Sequence, residues 1–306
     1  MSVMEILTPG LWGYARERRD PAAPTPRTLS LILGRGRPEH SDHRGWEEVL
    51  ASRLGYRRGT GGRQRLLAFP VSLTPGMHDL VAAAVPDLTA EESRALWETA
   101  VPELERSGGR RREAFPGVSE LEFDGSGDWD GPPPSAGFGR PMPAPRLANA
   151  MARRLQVLGN AVQMLWFDHP VNRERRASGR SPVQGLWFWS PGVRRAAPTI
   201  RRVAGGGLFA QWLATTAAVA WTADPLDERA DLAVVDALMV TATTERVEAL
   251  LHSLSEEILR PRIERLRSGA VTELRVHDPG VTLVRVARSD WRRFWRRPRP
   301  LGPPAV

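Results

Sequence analysis

Residues 163–192 read QMLWFDHPVNRERRASGRSPVQGLWFWSPG, and they carry more structural information than any other part of the chain. Upstream of this motif and into its start, apolar residues recur every three or four positions, which predicts an amphipathic helix. These residues are Leu147, Met151, Leu155, Leu158, Val162 and either Leu165 or Trp166. Pro170 lacks a backbone N–H and restricts His169 to an extended conformation, so we expect the helix to end near Asp168.

A polar corner is predicted directly after this helix. Asn172 and Arg175 are three positions apart, which places them on one side of a short helical turn, and Gly179 can end that turn. Residues 186–189 then predict a short buried strand. Trp187 and Trp189 would share one face of that strand, and we interpret that face as core rather than as a stacking surface for a ligand.

This motif resembles a known family. The pattern Asp-His-Pro-Val-Asn-x-x-Arg, followed by Gly179, Pro182 and the Leu-Trp-Phe-Trp strand, is similar to the cofactor-independent phosphoglycerate mutases of the alkaline phosphatase superfamily. A bacterial branch, the RpfE-type regulatory proteins, resembles the chain more closely. Four further segments look like the pattern of that branch: residues 9–12, 88–92, 234–238 and 291–301. The resemblance implies an α/β fold with a mixed sheet flanked by helices and a degenerate alkaline phosphatase-like core.

The composition indicates a folded cytoplasmic protein. The chain has 306 residues, of which 41% are hydrophobic, which suffices for one large core or two smaller ones. We find no apolar run of about 18 residues and no secretion signal at the N-terminus. The absence of cysteine excludes disulfides, thiolate metal sites and a cysteine nucleophile.

The positive charge is carried by arginine alone. All 43 basic residues are arginine, and the formal net charge is +8. Arginine pairs bidentately with phosphate oxygens, which favours anionic partners. Because the arginines are scattered and their number fits a GC-rich bacterial coding bias, we favour a solvated surface over a nucleic-acid interface.

Strands and helices alternate along the chain, which predicts an α/β architecture. Apolar runs at residues 4–7 and 29–33 predict strands, and Asp42 is expected to cap the next helix. Thr89 and Glu92 have the spacing of a capping box at the start of another helix. Residues 124–146 are rich in proline and glycine and predict an exposed loop or linker. We therefore divide the chain into residues 1–123, the linker 124–146, residues 147–290 and a tail, 291–306.

The resemblance also defines what catalysis would require. Catalytic members of the family hold two divalent metals with Asp and His ligands and use a Ser or Thr nucleophile, and the first ligand is an aspartate at the end of the first strand. Here Thr8 and Pro9 stand at that place, and Asp236, which follows another apolar strand, is followed by Ala237. The six histidines do not have the spacing of a metal site. We therefore predict no catalytic residues, no metal site and no cofactor.

The polar corner is the candidate ligand site. Asp168, His169, Asn172 and Arg175 could bind a phosphate or carboxylate, because a helix start with an arginine and an asparagine presents several donors to one anion. Trp189 joins them because it begins the turn that reads Trp-Gly-x-Gly in the family. The alternative is a structural corner, in which Asp168 caps or pairs with Arg175 and His169 satisfies a backbone carbonyl.

The tail is a second candidate, for an anionic partner. It interleaves aromatic residues with basic ones, and the basic candidates are Arg292, Arg293, Arg296 and Arg297. On a helix the aromatic residues Trp291, Phe294 and Trp295 would share one face and the arginines the other. The alternative is that the aromatic residues dock on the domain and the arginines are solvated.

Three functional hypotheses remain open at this point. The first is a non-catalytic or regulatory phosphoglycerate mutase-like protein that binds a phosphorylated or carboxylated metabolite. The second is an active metal-dependent phosphoglycerate mutase or phosphohydrolase. The third is an interaction protein that acts through its tail. Nothing in the sequence indicates the oligomeric state.

Overall fold

The computed structural model describes residues 3–12, 25–57, 64–76, 79–124, 129–140, 149–237, 244–292 and 296–301. The chain forms two compact units: unit 1 comprises Met1–Gly55 and Ala196–Val306, and unit 2 comprises Tyr56–Arg195. None of the helices within the described ranges is long and apolar enough to cross a bilayer.

The strands are, in chain order, β1 (Val3–Leu7), β2 (Arg37–His40), β3 (Tyr56–Arg57), β4 (Gln64–Pro75), β5 (Leu80–Ala84), β6 (Gly109–Phe115), β7 (Val118–Phe123), β8 (Gly185–Trp189), β9 (Val193–Arg194), β10 (Arg202–Gly205), β11 (Ala220–Thr222), β12 (Leu232–Val234), β13 (Glu273–Asp278) and β14 (Thr282–Ala287). The helices are α1 (Arg27–Arg35), α2 (Trp46–Arg53), α3 (Ala90–Arg106), α4 (Pro134–Gly137), α5 (Ala150–Phe167), α6 (Pro170–Ala177), α7 (Gly207–Thr216), α8 (Thr244–Ser253), α9 (Arg260–Ser268) and α10 (Arg288–Trp291). A π-helical segment, Leu254–Leu259, joins α8 to α9.

Unit 1 is built on a seven-stranded sheet with the order β11-β10-β12-β1-β13-β14-β2. The first five strands are parallel, β14 is antiparallel to β13, and β2 is antiparallel to β14. The sheet is therefore mixed, and the predicted α/β class with helices around a mixed sheet is confirmed.

The central strand β1 is buried on both faces, as expected for a strand inside a parallel sheet. Met4 and Ile6 point to one face, where they join a core formed with α1, α8 and α9. The alternate residues Glu5 and Leu7 point to the other face, on which Arg53 of α2 bonds to Glu5. Both faces of β1 are therefore covered, one by apolar side chains and the other partly by charged groups.

Unit 2 contains an antiparallel sheet of order β5-β4-β7-β6, in which the long strand β4 also pairs with β8. Helices α3 and α5 contribute to the apolar core that covers this sheet. Two indole rings mark their contact: Trp97 and Trp166 meet edge to face with centroids 6.0 Å apart, and Trp166 Nε1 donates to the carbonyl oxygen of Leu96. β3 and β9 form a separate two-stranded sheet.

The elements predicted around the tryptophan-rich motif are confirmed. The long helix ends at Phe167, a short helix starts at Pro170, and β8 contains the Leu-Trp-Phe-Trp run. The predicted helix face is buried with Trp166 rather than Leu165 facing the core, and its first member, Leu147, lies outside the described residues. Thr89 and Glu92 form the predicted capping box at the start of α3.

Two local predictions for unit 1 are wrong. Residues 29–33 form part of helix α1 rather than a strand, because Leu29 and Ile32 pack into the core on one helical face. A short apolar run does not distinguish a buried strand from a buried helix. Gly45, not Asp42, is the N-cap of α2.

The predicted linker lies inside a compact unit. The two-unit division falls after residues 55 and 195, not within residues 124–146. Residues 125–128 and 141–148 lie outside the described part, but residues 129–140 are packed: Trp129 Nε1 donates to the carbonyl oxygen of Phe188, and Trp187 Nε1 donates to that of Pro132. One indole donor lies in the segment and the other donates to it, so the described part of this proline- and glycine-rich segment is packed against β8 rather than being an exposed linker.

We predict that Gly137→Ala destabilises the protein by about 1–3 kcal/mol, because overpacking a filled core forces its neighbours to move. A Cβ atom at Gly137 would lie 2.2 Å from the ring of Trp187. The control is Gly159→Ala in α5, where the nearest atom is 3.8 Å away and the free energy of unfolding should rise by about 0.5–1 kcal/mol. Urea unfolding measures both, and an unchanged stability of Gly137→Ala would contradict tight packing of this segment.

Candidate functional site

The polar corner predicted from the sequence lies in unit 2, between α5 and α6. Asp168 ends α5 and His169 is the N-cap of α6. Asn172 and Arg175 lie on the buried side of α6, and both side chains have no exposed surface. Gly179 follows the helix with a φ of +71°, as its predicted terminating role requires.

Asn172 bonds only to the main chain of its own unit. Its Nδ2 donates to the carbonyl oxygens of Trp166 and Val183, each at 2.6 Å, and its Oδ1 accepts from the N–H of Val183 at 2.7 Å. The side chain therefore joins the end of α5 to the segment that enters β8. Both amide hydrogens and the oxygen are used inside the protein.

Arg175 connects three parts of unit 2. Its guanidinium group donates at 2.7 Å to the carbonyl oxygen of Ser181, to Glu92 and to Asp87. Glu92 also completes the capping box of α3, so one guanidinium group links the start of α3 to the loop after α6. The hydrogen bond from Arg175 is the main cause that lowers the pKa of Asp87. These contacts favour the structural interpretation of the corner.

The details of that structural interpretation were partly wrong. Asp168 is 71% exposed and faces Arg173 and Arg176, at 3.8 and 4.0 Å, rather than Arg175. His169 Nδ1 accepts a hydrogen bond from the N–H of Val171 rather than donating to a carbonyl. Burial, with the charge of Arg173, lowers the pKa of His169. Both side chains thus serve the junction between α5 and α6.

The tryptophans of β8 are interior residues. Trp187 and Trp189 are both buried, which confirms the prediction that they pack in the core. Trp189 lies on β8 opposite Leu67 of β4. The structure therefore brings Arg175 together with Glu92 and Asp87, joins Asn172 to main-chain groups, and places Trp189 in the interior.

A different location in unit 1 has the geometry of a ligand site. The chain leaves β10 through α7 toward β11, whereas it leaves the neighbouring strand β12 through α8 and α9 toward β13, on the opposite side. Diverging connections from adjacent parallel strands leave a crevice at their carboxyl ends, where α/β proteins bind ligands. A cavity of about 350 Å³ opens there, which we call the switch cavity; its lining comes from residues 205–208, 221, 223, 225 and 234–237.

A glycine turn shapes one wall of the switch cavity. Gly205, Gly206 and Gly207 all have positive φ angles, between 58° and 71°, which only glycine adopts readily. A Cβ at Gly205 would lie 2.3 Å from the carbonyl oxygen of Val234. Trp221 Nε1 donates to the carbonyl oxygen of Gly205 and holds the turn. The turn leads into the N-terminus of α7, whose first turn carries no acidic residue.

Asp236 supplies the carboxyl group of the switch cavity. It follows β12 and is half-buried, and burial raises its pKa despite an opposing backbone hydrogen bond. The other walls are mainly apolar and include Leu208, Pro225 and Val235. The sequence contained two signals for this site: three consecutive glycines between a strand and a helix, and an aspartate directly after an apolar strand.

The end of β1 is closed by internal bonds. Thr8 is fully buried, and its hydroxyl donates to the carbonyl oxygen of His277 at 3.4 Å. Asp278 accepts hydrogen bonds from the backbone N–H groups of Gly10 and Trp12, at 3.0 and 2.8 Å. The carboxylate of Asp278 thus binds the backbone of the loop that follows β1.

A buried network lies beside β1. His277 Nε2 is 2.6 Å from Ser41 Oγ, and His277 Nδ1 is 3.4 Å from Glu5, which Arg53 also binds. A serine, an imidazole and a carboxylate in this order can activate a nucleophile, but Ser41 is only 5% exposed. Its hydroxyl also accepts from the N–H of Gly280 and lies 3.4 Å from the carbonyl oxygen of His43. The network therefore ties loops to the sheet.

Glu5 is held as a carboxylate in this network. Burial alone would raise its pKa, but the neighbouring His277 and the hydrogen bonds from Arg53 outweigh burial and lower the pKa to about 2. Burial also lowers the pKa of His43, whose ring meets that of His277 edge to face. Within the described ranges, no three His, Asp or Glu side chains are gathered so that they could hold a metal ion.

The described part of the tail docks on unit 1. Leu301 is buried in the core, and the N–H of Arg299 donates to the carbonyl oxygen of Ser30 in α1. Trp291 packs against the same core and lies under Arg35, 4.4 Å from the guanidinium carbon. This favours docking of the tail over a free amphipathic helix.

The arginines of the tail remain a candidate for an anionic partner. Arg292, Arg296 and Arg297 are exposed. Arg293, Phe294 and Trp295 lie outside the described residues, as do residues 302–306. Binding of an anionic partner through the exposed arginines stays a prediction.

Two solved structures are similar to the chain. The PH0037 protein from Pyrococcus horikoshii is 11% identical, with a TM-score of 0.42, and the match covers 94% of this chain and 87% of that one. A cofactor-independent phosphoglycerate mutase from Thermoplasma acidophilum DSM 1728 is 17% identical, with a TM-score of 0.36 and coverages of 94% and 89%. No protein-family model and no curated protein matches the chain. Similarity at this level concerns the fold and does not extend to function.

We predict that Arg175→Ala lowers the free energy of unfolding by about 3 kcal/mol or more, because it removes three hydrogen bonds of a fully buried guanidinium group, two of them to carboxylates, and leaves a cavity. Arg173→Ala on the same helix is the control, since Arg173 is 61% exposed and its loss should cost less than about 1 kcal/mol. Denaturant unfolding of both variants measures the difference. Similar stabilities for the two would contradict the structural role of Arg175.

We also predict that acid removes the stabilisation contributed by Glu5. Its pKa falls from 4.5 to about 2 on folding, so the contribution is complete above pH 4.5 and is lost as the pH falls toward 2. The shift corresponds to about 3 kcal/mol. Urea unfolding should show wild type more stable than Glu5→Gln by this amount at pH 6, with a much smaller difference near pH 2.

The control for this pH dependence is Glu264→Gln. Glu264 is 66% exposed and lies 3.9 Å from Arg260, and such surface pairs contribute little. A difference between wild type and Glu5→Gln that does not change with pH would refute the proposed ionisation of Glu5.

Proposed function

We propose that the chain is a non-catalytic, regulatory protein of the phosphoglycerate mutase-like group that binds a small phosphorylated or carboxylated metabolite in the switch cavity. The observation that carries this proposal is the position of the cavity, at the carboxyl ends of β10 and β12 where the connections diverge. Ligands of open α/β sheets bind at such points. The polar corner of unit 2 is not the proposed site, because the side-chain donors of Asn172 and Arg175 already form hydrogen bonds within the protein.

The lining of the cavity supports a ligand that carries both an anionic group and a hydroxyl or amine. The N–H groups in the first turn of a helix have no partner within the helix and favour an anion, and α7 starts at the glycine turn. Asp236 would repel the same anion if it were close and charged. A ligand hydroxyl or amine suits Asp236 better, with the apolar walls around Leu208 and Pro225 in contact with the carbon skeleton.

The bonding at the end of β1 supports the non-catalytic part of the proposal. Thr8 is buried where the resemblance implies a metal-binding aspartate, and Asp278 binds two backbone N–H groups. Glu5 and His277 are engaged with Arg53 and Ser41. The ionisable groups of this region thus serve the fold.

A thermal-shift titration with inorganic phosphate, 3-phosphoglycerate and malate tests the binding. We expect at least one of them to raise the melting temperature saturably, since a ligand at 100 times its Kd stabilises the native state by about 2.7 kcal/mol. Leu208→Trp should abolish the shift by filling the cavity, and it should fold, because Leu208 is half exposed. Val193→Trp, at an exposed position of unit 2, is the control.

Two results would contradict the proposal. A melting-temperature shift that persists in Leu208→Trp would mean that the ligand binds elsewhere. The absence of any shift with all three probes would exclude binding of a small phosphorylated or carboxylated metabolite. Manganese-dependent interconversion of phosphoglycerates by the purified protein would instead support the alternative of an active phosphotransferase.

A further inference from the structure

Helix α5 presents a row of large apolar side chains to solvent. Met164 is 80% exposed, and Val157 and Phe167 are each 65% exposed. Singly exposed apolar residues are common, but a cluster on one element marks an interaction surface. The opposite face of the same helix, including Leu158 and Val162, is fully buried in the core of unit 2.

The exposed residues have the spacing of a helix-pairing surface. Arg153, Val157, Asn160, Met164 and Phe167 are exposed and follow one another at steps of four, three, four and three. This is the a/d spacing with which one helix packs against another. We call these five residues the α5 seam. A single asparagine within an apolar seam fixes the register of such a pair.

The α5 seam is complementary to itself when two copies run antiparallel. A two-fold axis near Asn160 would set each Asn160 against its counterpart and each Val157 against Met164 of the other copy. The same axis would place Arg153 at one end of the seam opposite Phe167 and Asp168 at the other end. Asp168 is 71% exposed, with Arg173 and Arg176 at 3.8 and 4.0 Å, and its charge is opposite to that of Arg153. An isologous interface requires this kind of self-matching pattern.

We propose that the α5 seam pairs with the α5 seam of a second copy of this chain in an antiparallel, two-fold symmetric dimer. An 18-residue helix is about 27 Å long and about 10 Å wide, so the contact is smaller than a standard interface of about 800 Å² per partner. The dimer is therefore reversible, with a dissociation constant in the micromolar range.

Sedimentation equilibrium of the full chain from about 1 to about 200 µM tests the association. The expected result is a reversible shift from monomer to dimer. Met164→Glu places a charge in the middle of the seam and should weaken the dimer at least ten-fold. Val193→Glu, an exposed apolar position on β9, is the matched control and should leave the association unchanged.

Site-specific oxidation tests the geometry, since the chain contains no cysteine. Asn160→Cys should form a disulfide-linked dimer on mild oxidation, because the two copies of this residue face each other at the axis and a disulfide needs Cα atoms about 4.4–6.8 Å apart. Gln163→Cys, exposed on the same helix but outside the seam, should remain largely uncrosslinked.

Three outcomes would overturn the proposal. One is a monomer at all concentrations, another is a dimer that Met164→Glu leaves intact, and the third is equal crosslinking at residues 160 and 163. Far-UV circular dichroism and thermal unfolding of each variant establish that it is folded, so that a lost dimer reports the seam.

Discussion

Arg175 places a permanent positive charge in the interior of unit 2, and the local architecture follows from how that charge is satisfied. A buried ion without partners costs several kcal/mol, so three acceptors must converge on it. They come from the start of α3, the segment before α3 and the loop after α6. Asn172 plays a similar role for uncharged groups, because its amide donates to the carbonyl of Trp166 at the end of α5 and to that of Val183 before β8. These hydrogen bonds occupy the side-chain N–H donors of Asn172 and Arg175, which had made this corner a candidate anion site.

The sequence predicted what local chemistry determines. Pro170 and the Thr89–Glu92 box mark helix ends through backbone hydrogen bonding, and the elements they delimit were predicted correctly. It did not predict what depends on distant partners. Residues 129–140 have the composition of a linker, but hydrogen bonds from the indoles of Trp129 and Trp187 to the carbonyls of Phe188 and Pro132 hold them in the folded unit. The role of Arg175 is similar, because its carboxylate partners lie more than 80 positions away in the chain.

The switch cavity shows that sequence patterns also predict a functional site only in part. Its parts were visible in the sequence as a glycine run and as Asp236, but strand order brings them together, and strand order is a non-local property. β10 and β12 are neighbours although a helix and a strand separate them in the chain. A distinctive sequence motif, such as the Asp-His-Pro-Val-Asn run, can therefore have a structural role. The less distinctive glycine run and Asp236 line the switch cavity.

Each unit contains a carboxylate bonded to a guanidinium group: Glu5 with Arg53 in unit 1, and Glu92 with Arg175 in unit 2. General acid–base chemistry needs an ionisable group that can reach the substrate, whereas these four groups are bonded to one another within their units. The described lining of the switch cavity combines a glycine turn at the start of α7, apolar walls and the half-buried Asp236. Such a lining can discriminate ligands by their shape and charge, which is what the proposed binding of a metabolite requires.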